Sequence, residues 1–281
     1  MEQHRFTPRV VLMCHADDRI DIEGLSTWIA ASMRLVGVIV LHEPPRRKLK
    51  RLRNEIRRVG WLRFLDVLAF RLYYRLRLAR ADAKWQGEEV IRLRSRYPAS
   101  FDGLSTFAAA DPNTEEVRRF LTELEPDLLI ARCKFILKKN ILGVARRGTY
   151  VLHPGICPEY RNAHGCFWAL ANRDLTRVGM TLLKADVGID TGPMFLHAGY
   201  AFDELNESHV VIQYRSVTEN LDALADMLIA ACEGRAQALP VDGRRSATWG
   251  QPWLTAYWKW KSAARRASGS AAPSPEGITP R

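Results

Sequence analysis

Two residues in this chain, a histidine and an aspartate, lie in loops next to predicted strands and have side chains that could do chemistry. His153 stands where the short apolar run TYVL meets a loop, HPGICPEYRNAHG, whose prolines and glycines prevent regular structure. Asp190 lies in a glycine-containing turn, DVGIDTGP (186–193). A histidine titrates near neutral pH, and a neighbouring carboxylate can orient it and favour its charged form. What chemistry these residues can do depends on whether the fold brings them together.

The elements that would position these residues are short apolar runs alternating with helical patterns. RVVLMC (9–14), LVGVIVL (35–41), DLLIARC (127–133) and TYVL (149–152) are typical of buried parallel strands, and the segments between them have helical spacing. The pattern predicts an α/β fold with a mostly parallel, Rossmann-like sheet. Ligands bind beyond the carboxyl ends of such strands, so we expect His153, the Cys133-Lys134 segment and the 186–193 turn to meet at that edge.

The remaining segments complete the predicted organisation. We expect a helix over 111–127 capped near Asn113 or Thr114, a helix over 135–148, a strand pair on either side of the 186–193 turn, and one long helix over 207–234. Residues 98–107 read as an irregular connection. The predicted domains are an α/β domain over 1–205 with a helical insertion at about 46–97, a C-terminal helix and aromatic appendage over 206–261, and a disordered tail over 262–281.

The insertion is strongly basic. Residues 46–84 carry fourteen Lys and Arg against Glu55, Asp66 and Asp82, with apolar residues spaced as in amphipathic helices. One interpretation is attraction to an anion such as a nucleotide diphosphate, an RNA or an acidic lipid surface, which leaves peripheral membrane contact through 46–84 open. We favour a solvated arginine-rich face over a buried apolar stripe. A homodimer also stays open.

Composition limits the class of protein to which this chain can belong. The 281 residues are 47% hydrophobic and 26% charged, which is typical of a soluble globular protein. No apolar run approaches a membrane span, and no signal-peptide core stands at the start, so a cytoplasmic location is expected. The five cysteines are scattered without a C-x-x-C pair, which predicts reduced thiols and no metal site.

The combined motifs resemble a known family. His-Pro-Gly followed by Pro-x-Tyr-Arg, a helix with Trp168, and VGMTLLKADVGIDTGP are together similar to the formyltransferases that use formyl-tetrahydrofolate. That family includes the methionyl-tRNA, glycinamide-ribonucleotide and amino-sugar enzymes. The resemblance is strong from about Pro126 to Tyr200 and weak over Arg9 to Leu41. It implies that His153 stabilises the oxyanion formed when an amine attacks the formyl carbon, and that Asp190 orients His153 and helps take the amine's proton.

The resemblance also implies a cofactor site. Formyl-tetrahydrofolate would be the formyl donor, and the family binds its pterin largely through backbone groups of two segments. In this sequence those segments are Cys133, Lys134, Phe135 and Ile136 after the third predicted strand, and Asp186, Val187, Gly188 and Ile189 in the turn before Asp190.

One position departs from the family pattern. The relatives usually carry Asn two residues before the histidine, where this chain has Val151, and valine cannot donate a hydrogen bond to an oxyanion. Losing one such donor typically costs about 100- to 1000-fold in rate. Asn162 or Lys134 could replace the donor, and Asn162 is our first candidate. The alternative is a non-catalytic folate- or nucleotide-binding homologue.

A different enzyme class is suggested by CHADD (14–18). It is similar to the motif after the first strand of zinc-dependent de-N-acetylases, in which His15, Asp17 and Asp18 would supply metal ligands. Those enzymes lack the Asp-Thr-Gly-Pro turn, so we favour His15, Asp17 and Asp18 as a loop and helix cap.

The class of amine that accepts the formyl group is inferred only by elimination. About 75 residues follow Asp203, too few for the C-terminal barrel of methionyl-tRNA formyltransferases, and glycinamide-ribonucleotide enzymes lack the basic insertion. The resemblance then implies a small-molecule amine, possibly a nucleotide-linked amino sugar, with tRNA and DNA disfavoured as partners.

Overall fold

A seven-stranded sheet organises the computed structural model, which describes residues 6–100 and 103–270. Its strands are β1 (Arg9–His15), β2 (Arg34–Leu41), β3 (Ser105–Ala109), β4 (Leu128–Arg132), β5 (Gly148–His153), β7 (Met180–Lys184) and β8 (Met194–Ala198). The strand order is β3-β2-β1-β4-β5-β7-β8. Strands β1 to β5 are parallel, β7 runs antiparallel to β5, and β8 runs antiparallel to β7. The mostly parallel α/β fold predicted from the sequence is confirmed. Two short strands, β6 (Arg161–Asn162) and β9 (Thr248–Trp249), pair separately.

Helices cover both faces of the sheet. They are α1 (Ser26–Ser32), α2 (Pro45–Val59), α3 (Trp61–Arg77), α4 (Ala79–Arg96), α5 (Glu115–Leu124), α6 (Lys139–Leu142), α7 (Gly165–Ala171), α8 (His209–Thr218), α9 (Leu221–Cys232) and α10 (Leu254–Ser270). Alternate residues of β1 enter different cores, with Val10 and Leu12 in one and Val11 and Met13 in the other. This two-sided burial explains the continuous apolar run in β1.

The predicted basic insertion is the three helices α2, α3 and α4. Its last helix packs Val90 and Leu93 into the main core beside α1. The middle helix packs Phe70 against Phe167 and Tyr257, which joins the insertion to α7 and α10. The predicted buried stripe is therefore only partly correct, because several large apolar residues of α3 lie on its exposed side.

Three local predictions in the sheet region are wrong. Residues 98–107 are not all irregular, because the edge strand β3 begins at Ser105. The predicted helix over 135–148 shrinks to α6, because Asn113 holds the backbone of Ile136 and Lys138 in an extended path. The long helix over 207–234 is broken between α8 and α9, where the Asn220 side chain donates to the carbonyls of Ser216 and Gly199.

The predicted disordered tail begins too early. Helix α10 continues through Ser270, in a stretch rich in alanine and arginine, which are strong helix formers. Disorder from residue 262 is thus wrong for 262–270, and residues 271–281 lie outside the described range.

Candidate active site

His153 is the last residue of β5 and is almost completely buried. Its Nε2 lies 2.8 Å from the carbonyl oxygen of Tyr160. Because a carbonyl only accepts, Nε2 carries a proton and donates it. The other ring nitrogen, Nδ1, lies 3.5 Å from Oδ2 of Asp190, so the structure brings the two sequence-predicted residues together.

Asp190 does not approach from the edge that the sequence predicted. Strand β7 runs antiparallel to β5, with Lys184 paired to Tyr150 and Thr181 paired to His153. The 185–193 turn therefore leaves the sheet at the opposite edge, about 10 Å from His153 along β5. The turn folds back along β5 and carries Asp190 to the histidine.

Hydrogen bonds within the 185–193 turn and from outside it stabilise its folded-back path. Asp186 accepts hydrogen bonds from the Gly188 N–H and from the Thr191 hydroxyl, each near 2.9 Å. Arg161 donates to the Ile189 carbonyl at 3.0 Å. Asp190 itself has φ of 51°, a left-handed conformation that non-glycine residues adopt at a cost. A network of hydrogen bonds thus holds the Asp190 backbone in this conformation and its carboxylate beside His153.

The electrostatics favour a charged histidine. Burial alone lowers the pKa of His153, but the Asp190 carboxylate, Cys157 and the Tyr160 carbonyl outweigh burial and raise this pKa to about 10. At neutral pH the ring is therefore an imidazolium with two N–H donors. The arrangement can stabilise negative charge that develops near Nδ1.

Two glycines close the loop after His153. A Cβ on Gly155 would lie 2.7 Å from the Tyr160 carbonyl oxygen and 2.8 Å from His153 Nε2, and one on Gly165 would lie 2.7 Å from the Gly155 Cα. Both contacts are shorter than real Cβ atoms show, so the two glycines permit the close approach that lets Tyr160 meet the imidazole ring.

Asn162 takes a role that differs from the predicted one. Its side-chain Nδ2 donates to the Trp249 carbonyl at 2.5 Å. Its backbone N–H donates to Asp190 Oδ2 at 2.7 Å. Asn162 therefore anchors the carboxylate through its main chain, and β9 anchors Asn162. Sequence reasoning missed Trp249 because 87 residues separate the partners.

The first predicted pterin segment, Cys133 to Ile136, lies directly after β4 and is partly tied to protein groups. The Lys134 N–H donates to His15 Nε2 at 2.9 Å, and Arg47 donates to the Lys134 carbonyl. Ile136 is 57% exposed despite its apolar side chain. Lys134 is exposed, and its charge contributes, after burial, to lowering the pKa of both His15 and His164.

The second predicted pterin segment, Asp186 to Ile189, is exposed. Val187 is 60% exposed and Ile189 is 38% exposed. Exposed apolar side chains in both segments suit a flat ring system that would cover them.

Val151 points to the same side of β5 as His153, because alternate strand residues share a face. It is half-buried against two apolar clusters, and Leu239, Val241 and Cys157 share one of these clusters. The environment matches valine and offers little to an amide.

His15, Asp17 and Asp18 do not form the predicted zinc alternative. His15 Nε2 accepts from Lys134, while Asp18 accepts from Tyr214 at 2.5 Å and from the Asp21 backbone at 3.1 Å. Within the ranges that the structure describes, no three His, Cys, Asp or Glu side chains are grouped to hold a metal. The loop and cap interpretation fits these contacts better.

A buried ion pair that sequence reasoning missed supports β5. Arg132, at the end of β4, donates to Asp21 at 3.0 Å and to the Leu152 carbonyl at 2.5 Å. Burial raises the pKa of Asp21, and the Arg132 guanidinium opposes this rise. The sequence feature that could have indicated this ion pair is an arginine at the end of an apolar strand. The pair fixes the peptide that immediately precedes His153.

The insertion reaches the first pterin segment. The Arg47 guanidinium lies 3.3 Å from the centroid of the Phe135 ring, and Arg51 and Arg47 both pair with Glu43. Helix α2 therefore places positive charge beside the loop after β4. Two cavities of about 360 and 410 Å³ elsewhere in the described structure contain none of the predicted site residues.

Comparison with known proteins gives a consistent family match. The family described as formyl transferase matches residues 79–228. Methionyl-tRNA formyltransferase from Pelobacter propionicus is 32% identical over 126 residues, which are 45% of this chain and 38% of that protein. GDP-perosamine N-formyltransferase from Brucella melitensis is 23% identical over 129 residues, 46% of this chain and 49% of that protein. The chain thus spans half or less of the length of these relatives.

Solved structures share the fold. A sugar N-formyltransferase from a Shewanella species superposes with a TM-score of 0.52 at 12% identity, covering 97% of this chain and 83% of that one. A 4-N formyltransferase from Francisella tularensis gives a TM-score of 0.53 at 9% identity, covering 92% and 87%. At such identities the likeness concerns the fold alone.

Proposed function

This chain belongs to the formyl transferase family, and we propose that it transfers a formyl group from formyl-tetrahydrofolate to a primary amine. The observation that carries the proposal is the buried His153 with Asp190 3.5 Å from its Nδ1. The family match and the fold of the solved relatives support the same activity.

His153 would act on the formyl oxygen. As the amine nitrogen forms its bond to the formyl carbon, negative charge builds on that oxygen, and a preorganised imidazolium in a dry site stabilises it. Nε2 donates its hydrogen to the Tyr160 carbonyl, so Nδ1 is the nitrogen that would contact the formyl oxygen. The 3.5 Å separation from Asp190 is longer than a normal hydrogen bond, as is common in sites without substrate.

Asp190 would have two roles, one toward His153 and one toward the attacking amine. Its carboxylate keeps His153 protonated and can accept, directly or through one water, the proton that the attacking amine releases. The bond between the formyl carbon and the folate nitrogen then breaks, and that nitrogen takes up a proton. The Asn162 N–H keeps Asp190 oriented throughout.

The additional oxyanion donor is assigned to Lys134 in preference to Asn162. The Asn162 amide is held by Trp249, whereas the Lys134 ammonium is on an exposed residue at the end of the neighbouring strand β4. Lys134→Met should lower kcat at least tenfold while folate affinity changes little, since the contact strengthens in the transition state. Lys138→Met, a nearby exposed lysine, is the matched control. Equal effects of both variants would exclude a specific role for Lys134.

Folate binding has a test that is independent of turnover. The two predicted pterin segments expose Ile136, Val187 and Ile189, and a bound pterin would cover apolar surface there. Saturation with a non-reactive folate analogue at 100 times its Kd should stabilise the fold by about 2.7 kcal/mol. Ile136→Asp should weaken binding, and Leu205→Asp, at an exposed apolar site outside both segments, should not. Absence of any melting shift at saturation would contradict folate use.

We assign the acceptor to amines on anionic carriers, nucleotide-linked amino sugars first. Arg47 and Arg51 place positive charge at the loop after β4, and GDP-perosamine and sugar N-formyltransferases are among the similar proteins. Purified protein with formyl-tetrahydrofolate should formylate UDP-, GDP- or dTDP-linked amino sugars, scored by mass, in preference to glycinamide ribonucleotide and methionyl-tRNA. Preference for either of the latter would refute the assignment.

The alternative is a folate-binding homologue without catalysis. It is favoured by Val151, which lies among apolar residues where the family has asparagine. Tight folate binding with no transfer to any amine of the panel would establish that alternative. Turnover abolished by His153→Gln would exclude it.

A further inference from the structure

Helix α3 has a second apolar face that nothing in the described structure covers. Its members are large side chains that are 41% to 87% exposed: Trp61, Leu62, Leu65, Leu68, Leu72 and Leu76. We call these six residues the α3 stripe. Most exposed apolar residues of globular proteins are scattered singly, so six on one helix require an explanation.

The helical geometry makes the stripe continuous. At 3.6 residues per turn, the six side chains fall within an arc of about 120° and extend about 22 Å along the helix. The residues that α3 buries, Phe64, Val67 and Phe70, lie on roughly the opposite side. The α3 stripe therefore points away from the protein core.

The neighbourhood of the stripe carries mostly positive charge. Residues 46–84 hold fourteen basic and three acidic side chains. Glu55 pairs with Arg58, Asp66 accepts from Thr255, and Asp82 is buried with Ser208. All three acids are thus engaged by protein groups, and the large excess of basic residues leaves the segment strongly positive.

The flanking helices extend this pattern. Helix α10, which packs beside α3, contains no acidic residue. It presents Trp258, which is 52% exposed and packs edge-on against Tyr73 of α3. Tryptophan at the border of an apolar face, with basic residues around it, is typical of helices that lie in a membrane interface.

We propose that the α3 stripe docks the protein on an anionic lipid bilayer. The leucines would enter the boundary between headgroups and acyl chains, and the surrounding arginines and lysines would meet the lipid phosphates. No described helix has the length and apolar character to cross a membrane, so the contact is peripheral. A second copy fits less well, because a twofold contact through this face would bring two basic rims together.

Vesicle cosedimentation tests the proposal. The full chain should pellet with phosphatidylcholine vesicles containing 30% phosphatidylglycerol and remain in solution with phosphatidylcholine alone, and 0.5 M salt should weaken the binding, because exposed charges are screened. The variant Leu65→Gln/Leu72→Gln/Leu76→Gln should reduce the partition coefficient at least tenfold. These side chains are exposed, so its melting temperature should stay close to that of the wild type.

The matched control replaces exposed apolar residues elsewhere. Ile91→Gln/Leu205→Gln changes side chains that are 70% and 43% exposed but lie outside the stripe, and it should bind vesicles as the wild type does. Absence of vesicle binding, or equal binding by the stripe variant, would overturn the proposal. A wild-type dimer in light scattering that the stripe variant converts to a monomer would assign the face to a second copy instead.

Discussion

Replacing Asp190 with asparagine gives the sharpest test of the site, because the change removes one charge and keeps the shape. Asparagine can still accept from the Asn162 N–H, so the turn should keep its position. The raised pKa of His153, about 10 instead of 6.5, corresponds to about 5 kcal/mol in favour of the imidazolium. Asp190 is the largest contributor that opposes burial.

In Asp190→Asn we expect the pKa of His153 to fall well below about 10, because burial then acts with less opposition. The ring would lose the carboxylate that most favours its charged form, and formyl transfer should fall at least about 100-fold. The effect of the His153 pKa on the free energy of unfolding also has a defined sign. A raised histidine pKa stabilises the fold fully below pH 6.5, and this stabilisation is lost as pH rises through about 10. The variant should therefore lack that alkaline loss.

Histidine NMR titration between pH 5 and 10 measures the change directly, with the His153 signal assigned by its absence in His153→Gln. Asp186→Asn is the control, because it alters a carboxylate of the same turn that contacts Gly188 and Thr191 but not His153. It should leave the pKa of His153 near 10. A value above 8 in Asp190→Asn would refute the electrostatic reasoning.

Three further changes probe the surroundings of the site. Val151→Asn should cost about 1–3 kcal/mol in urea unfolding, because the amide enters a cluster with Leu239; an unchanged stability with increased formyl transfer would instead support restoration of a lost donor. Gly155→Ala should lower both the melting temperature and turnover, because its Cβ would meet the Tyr160 carbonyl at 2.7 Å; normal activity would contradict the close-packed loop. Burial lowers the pKa of His209 to about 3, so the unfolded chain binds its proton first and about 2 kcal/mol of stability should be lost between pH 6.5 and 5. His209→Phe should reduce that acid sensitivity, and an identical pH dependence would refute it.

The sequence predicted the parts of the site that depend on local pattern. An apolar run ending at His153 and a strand pair around a glycine turn predicted the elements that carry the two residues, and the family resemblance predicted that His153 and Asp190 would share one site. The path of the turn could not be predicted, because the carboxyl-edge rule holds for parallel strands and β7 is antiparallel. The turn reaches the site only through hydrogen bonds, such as that of Arg161, that no periodicity encodes.

Long-range contacts account for the other differences. The sequence also could not indicate that a backbone carbonyl of β9 accepts a hydrogen bond from the Asn162 amide, which disfavours the predicted role of Asn162 as the oxyanion donor. For α3, the pattern correctly indicated an amphipathic helix, yet apolar residues occur on both of its sides. Periodicity identifies an apolar face and does not tell whether the protein or something else covers it.

The anchoring of Asn162 by Trp249 also bears on how this enzyme family can be divided. The matched family region ends at residue 228, and both His153 and Asp190 lie inside it. The strand that steadies Asp190 is completed only at Trp249, twenty-one residues further on. A fragment cut at the family boundary would retain both reactive side chains and lose the support that aligns them. The candidate site therefore depends on residues beyond the region that sequence similarity recognises, and replacing the segment after residue 228 would change the support of Asp190.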